Sequence, residues 1–118
     1  MILVCDDEHT LVQFCRELLE KEGYVVRTAR GADEAYRILQ EPDCKGMLLD
    51  LWMPEFNGAG LLMLMAAEGL KTPVVVFADD PSIEEDEMQQ FPNVRKLLHK
   101  PFYPEDLLAA VRAFMPKA

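Results

Sequence analysis

Residues 1–8 read Met1-Ile2-Leu3-Val4-Cys5-Asp6-Asp7-Glu8, so five apolar side chains run directly into three acids. An apolar run without polar alternation suits a strand covered on both faces, as strands of parallel sheets are. The acids then fall at its carboxyl end. The same pattern returns along the chain. Met47-Leu48-Leu49 leads into Asp50, and Pro73-Val74-Val75-Val76-Phe77-Ala78 leads into Asp79-Asp80. Val94 to Leu98 leads to Lys100-Pro101, and Tyr24 to Ala29 supplies one more β-branched strand.

Between these runs the apolar period changes to that of a helix. Leu11, Phe14, Cys15, Leu18 and Leu19 share one face of Thr10 to Glu22, which Gly23 stops. Ala32 to Glu41 turns Ala35, Ile38 and Leu39 inward and ends at Pro42. Gly58 to Glu68 follows a capping Asn57, with Leu61 to Met65 read as core packing. Ser82-Ile83-Glu84-Glu85 has the form of a capping box opening a fourth helix that Pro92 ends. Glu105 to Met115 aligns Leu107, Leu108, Val111 and Met115.

Five strands alternating with five helices predict an α/β domain. Right-handed crossovers leave few topologies, and the natural one is flavodoxin-like, (βα)5. This is a doubly wound parallel five-stranded sheet of order 2-1-3-4-5 with helices on both faces. A length of 118 residues is enough for one core, so a single domain over 1–118 is expected.

Composition narrows the function. The net charge is −9, which repels phosphate backbones and anionic headgroups. Direct nucleic-acid binding and membrane binding are therefore not expected. No apolar run approaches the roughly 20 residues of a membrane span, and no basic leader precedes the first strand. Cys5, Cys15 and Cys44 are odd in number and form no CxxC pair, which fits core residues in a reducing, cytoplasmic compartment.

In an open parallel sheet the carboxyl ends of the strands form the ligand crevice. In the order 2-1-3-4-5, strands one and three are neighbours, so Asp6, Asp7 and Asp50 should share one pocket with Lys100 nearby. Two carboxylates about 4 Å apart repel by roughly 4 kcal/mol at an effective dielectric near 20. One remedy is a raised pKa; the other is a hard dication held by oxygens. Mg²⁺ keeps open positions for phosphate oxygens, Lys100 supplies a point cation, and Asp50 is a candidate nucleophile able to form an aspartyl phosphate. Asp6 and Asp7 then form the metal side.

These residues resemble the response-regulator receiver domains of two-component signalling, the CheY-like family. The resemblance rests on Asp6-Asp7, on Asp50-Leu51-Trp52-Met53-Pro54 with Gly58, and on Lys100-Pro101-Phe102. It implies phosphorylation of Asp50 and direct ligation of Mg²⁺, or Mn²⁺ in its place, by Asp7, Asp50 and the Trp52 backbone carbonyl. Asp6 would hold the metal through water, and Lys100 would meet the phosphoryl group. The donor would be a histidine kinase or histidine phosphotransfer protein, and the output a downstream effector protein or attached domain. Such a domain is a regulatory phosphoacceptor, not an enzyme.

Two features depart from the family. The hydroxyl residue usual at the end of strand four is Ala78, followed by Asp79 where a small residue is usual. The aromatic switch residue three before the lysine is Leu97. The alternative function is therefore a degenerate receiver acting as a constitutive protein-interaction module. Among the remaining residues, His9 is expected at the surface and the side chain of Trp52 half-buried. His99 is expected on the strand face opposite Lys100 without a role. Glu84 to Glu87 are expected as solvated helix acids.

Overall fold

A computed structural model describes residues 1–54 and 56–117. The order of elements is β1 (Ile2–Cys5), α1 (His9–Lys21), β2 (Val26–Thr28), α2 (Ala32–Leu39), β3 (Gly46–Asp50) and α3 (Gly58–Ala67). Then come β4 (Val74–Ala78), a 3-10 helix (Glu85–Gln90), β5 (Val94–His99) and α4 (Pro104–Phe114). The strands form one five-stranded sheet of order β2-β1-β3-β4-β5, all neighbours parallel. The expected topology is thus present, with one helical segment of a different kind.

The period of two along each strand divides the core. Ile2, Val4, Leu48, Val75 and Phe77 pack with Cys15 and Leu19 of α1 and Leu107 and Val111 of α4. Leu3, Cys5, Met47, Leu49, Val74 and Val76 face the other way, onto Ala35 and Ile38 of α2, Leu62 and Met65 of α3, and Met88 of the 3-10 helix. Every residue of β1, β3 and β4 is buried, which is why those strands read as unbroken apolar runs.

The segment expected as a fourth α-helix is instead a six-residue 3-10 helix. Ser82 does not cap it, because Asp80 Oδ1 accepts hydrogen bonds from both the Ser82 N–H (2.8 Å) and its hydroxyl (2.7 Å). The capping box forms two residues later, between Glu84 and Glu87. Few residues then remain before Phe91 turns into the core, and short stretches favour 3-10 geometry. In α3, Leu61, Leu62 and Met65 are core as expected, but Met63 and Leu64 are exposed.

Asn93, just before β5, is one of two buried polar side chains among the described residues. Its amide donates to the Leu70 carbonyl (2.7 Å) and the Thr72 carbonyl (3.0 Å), fixing the entry to β4. Asn93→Ala strands both acceptors. A loss of roughly 2 kcal/mol is expected in urea unfolding at unchanged m-value.

Candidate functional site

Register decides what meets at the carboxyl edge of the sheet. Cys5 lies beside Leu49, Asp50 beside Phe77, and Ala78 beside His99. The residues that follow β1, end β3 and follow β5 are therefore neighbours, as the topology required. One carboxylate oxygen from each of Asp6, Asp7 and Asp50 can be chosen so that all lie within 4.8 Å of one another. Asp50 is buried, Asp6 half-buried and Asp7 exposed, so the cluster opens to solvent on one side.

Each buried acid is held by its own loop. Asp50 Oδ1 accepts from the Trp52 N–H (2.9 Å), and Asp6 Oδ1 accepts from the Glu8 N–H (2.9 Å). Both second oxygens face Lys100: its Nζ is 3.0 Å from Asp50 Oδ2 and 2.9 Å from Asp6 Oδ2. Glu8 Oε2 approaches the same ammonium at 3.6 Å. Burial by itself pushes the Lys100 pKa down, but its hydrogen bonds to Asp6 and Asp50 outweigh that and hold it above the usual lysine range. Asp6 fares worse. Burial raises its pKa more than the neighbouring ammonium lowers it, and the charge of Asp50 raises it further.

The imbalance has a simple origin. One cation serves three carboxylates, and no second cation reaches the cluster among the described residues. Asp6 Oδ2 is buried and has no hydrogen-bond partner of proper geometry there, although the ammonium charge is near. A buried oxygen left in that condition, next to two further carboxylates, is what a hard cation with oxygen ligands satisfies. The acidic cluster can thus hold a metal ion.

The response-regulator receiver domain matches residues 2–112 of this sequence. The chain belongs to that family. Response regulator SaeR of Staphylococcus aureus is 28% identical over 116 residues, covering 98% of this chain and 50% of that protein. The chain thus spans about half the length of the curated relatives it matches. The receiver domain of NtrX from Brucella abortus is 28% identical with a TM-score of 0.82, covering 97% of this chain and 98% of that one. The chemotaxis protein CheY4 of Vibrio cholerae is 25% identical with a TM-score of 0.82, covering 97% of each chain.

Within this receiver domain the two atypical positions are both core. Ala78 is fully buried, and its carbonyl accepts the Lys100 N–H at 2.7 Å. Leu97 packs in the same cluster with Met88 and Phe91. Asp79 is exposed and lines a cleft with Glu8 and Lys100. Trp52 is 46% exposed, close to the half-buried side chain expected.

Sequence reasoning missed three contacts. Glu8 joins the Lys100 cluster, and the signal was the third consecutive acid after β1. Glu85 Oε2 accepts the Leu97 N–H at 2.8 Å, so one of the supposedly solvated acids tends the edge strand. His99 is not idle, since its Nε2 lies 2.6 Å from the Ile83 carbonyl oxygen. Neither of these last two contacts leaves a mark in the sequence, because each joins an exposed side chain to backbone in another element.

Proposed function

We propose that this chain is a phospho-accepting receiver domain of a cytoplasmic two-component phosphorelay, with Asp50 as the acceptor. The observation that carries this reading is the meeting of Asp6, Asp7 and Asp50 within 4.8 Å, with the Lys100 ammonium 3.0 Å from Asp50. A carboxylate oxygen of Asp50 forms the new P–O bond as the P–N bond of a phosphohistidine breaks. The departing electron pair returns to the imidazole of a histidine kinase or histidine phosphotransfer protein. Lys100 releases Asp50 and pairs with the phosphoryl oxygens, while Asp6 retains its share of the ammonium. The output is a change in affinity for a partner protein or an attached domain.

Asp7, Asp50 and the Trp52 carbonyl would hold Mg²⁺, with Asp6 behind them. Bound Mg²⁺ neutralises charge that gathers on the phosphoryl oxygens. The direct test is incubation with phosphoramidate in Mg²⁺ buffer. It should give one acid-labile, hydroxylamine-sensitive phosphoryl group per chain, and chelator should prevent it. Labelling that is indifferent to chelator would overturn the metal assignment.

The stability of the metal-free domain should also follow Asp6. Its folded pKa lies above the unfolded 3.8, so the folded state binds the proton more tightly. Stability is then fully present below 3.8 and declines as pH rises through the elevated folded value. Mg²⁺ should reverse that decline, adding about 2.7 kcal/mol at a hundred times its Kd. Thermal melts with and without Mg²⁺ should diverge at pH 7 and converge near pH 4; equal gains at both would remove Asp6 from the metal side.

A second reading is favoured by Ala78 and Leu97. With no hydroxyl at the first and no aromatic ring at the second, phosphorylation lacks the usual path to the β5 surface. Equal partner affinity with and without a beryllium fluoride phosphoryl mimic would favour a constitutive interaction module.

A further inference from the structure

The metal carboxylates have a second neighbour on the side away from Lys100. An open cavity of about 540 Å³ lies between the start of α1, the loop after β2 and the loop after β3. Asp6 and Asp7 form one end of it. Arg16 from α1 and Arg30 from the β2–α2 loop line it as well, over a partly apolar wall that includes Val12, Met53 and Phe56. Met53 and Phe56 are buried in the core, so this wall is fixed. Neither Asp50 nor Lys100 lines the cavity, which separates it from the acceptor itself.

The two arginines matter by their placement in one cavity, since Arg37 and Arg95 also lack an ion-pair partner among the described residues. The chain has 21 acids against 12 lysines and arginines. Arg27 and Arg112 each take a glutamate at 2.6 Å. Arg16, although half-buried, and Arg30 have no ion-pair partner among the described residues. Two guanidiniums so placed around one concave site suit a phosphate, whose oxygens match their planar donor forks. An apolar wall beside them suits an organic body on that phosphate, and the volume falls in the ordinary range for small-molecule sites.

We infer that this cavity is an anion subsite for a phosphate monoester, with Arg16 and Arg30 gripping the phosphate and Val12, Met53 and Phe56 meeting its apolar part. It rests on the proposed function in one respect: Mg²⁺ at Asp6 and Asp7 masks the acidic end that would otherwise repel the ligand. Bound there, a phosphate monoester covers the metal side of the acceptor without occupying Asp50. Metal and anion therefore strengthen each other's binding.

The test is calorimetric titration of the intact chain with AMP and with inorganic phosphate, in Mg²⁺ buffer. AMP should bind saturably at one site, and inorganic phosphate should compete for it with lower affinity. Equal affinity for the two would restrict the site to the phosphate and overturn the apolar contact. Arg30→Gln, at an exposed position, should weaken AMP about tenfold, as loss of one charge-assisted contact does, and Arg16→Gln with Arg30→Gln should weaken it further. No saturable binding, or a loss below about threefold in the double variant, overturns the subsite. Binding abolished by Lys100→Met but kept in the arginine double variant would place the anion at the acceptor instead, and also overturns it. Phosphoramidate labelling of Asp50 in the arginine variants keeps the two readings apart. Labelling without AMP binding defeats only the subsite, whereas absence of labelling in the parent chain defeats the proposed function.

Discussion

Asp50→Asn should abolish phosphoryl labelling while leaving the domain folded. The expected loss is complete, because a carboxamide oxygen is too weak a nucleophile to take the phosphoryl group, and no remaining carboxylate is placed like this one. Asp50 is only 4% exposed at the end of a strand whose residues are all buried. Asp7 is exposed, and Asp6 is committed to Lys100 and the Glu8 N–H. The fold should tolerate the change for a local reason. An asparagine Oδ1 can still accept from the Trp52 N–H, the contact that shapes the β3–α3 loop. The new NH₂ group loses the attraction of Lys100, but one of the three crowded negative charges disappears with it. The two effects oppose each other, and a net change within about 1 kcal/mol is expected from a site where repulsion and pairing are of similar size. Mass spectrometry of the phosphoramidate product, beside a thermal melt, checks both halves. Full labelling of a folded Asp50→Asn chain would move the acceptor elsewhere.

The parts legible in the sequence were those fixed by burial on a regular period. β1, β3 and β4 could be read because each is covered on both faces, so each is apolar up to the acid that ends β3 or follows β1 and β4, and that acid marks the strand end. Once the strand order followed from right-handed crossovers, the meeting of Asp6, Asp7 and Asp50 was a consequence of topology and needed no coordinates. Lys100 could be placed for the same reason.

What stayed hidden depends on competition between local hydrogen bonds. Ser82 has the right spacing for a capping box, but Asp80 lies two residues before it and captures both its donors. Spacing alone does not say which acceptor wins. Glu85 reads like its acidic neighbours, yet it alone bridges to the edge of β5, where it accepts from Leu97 and sits 3.7 Å from Lys96. The shared ammonium is the most consequential of the hidden details. The sequence offers a lysine near acids, but only the geometry shows one cation serving three of them.

That sharing makes Lys100 the residue whose loss should cost the fold most. Its side chain is 9% exposed and lies between Asp6 and Asp50, whose side chains are 0% and 6% exposed. Lys100→Met keeps much of the apolar stem and removes the charge. The surviving carboxylates are then buried without compensation, a situation that costs about 3–5 kcal/mol when one partner of a buried pair is removed. Glu8 does not relieve it, being a third negative charge in the same place. The loss should depend on pH in a definite direction. Asp6 already holds its proton more tightly than usual, and without Lys100 it holds it more tightly still. Stability should therefore recover as pH falls and Asp6 becomes neutral. Mg²⁺ should rescue the variant at neutral pH by supplying the missing positive charge, and by more than it stabilises the parent chain. Lys100→Arg should rescue less than its charge suggests, since a planar fork does not fit between two carboxylates arranged around a single point. Urea unfolding at pH 7 and pH 5, each with and without Mg²⁺, measures all of these. If Lys100→Met unfolds like the parent at neutral pH without metal, the acids are already neutral there. In that case the cluster has no need of a dication.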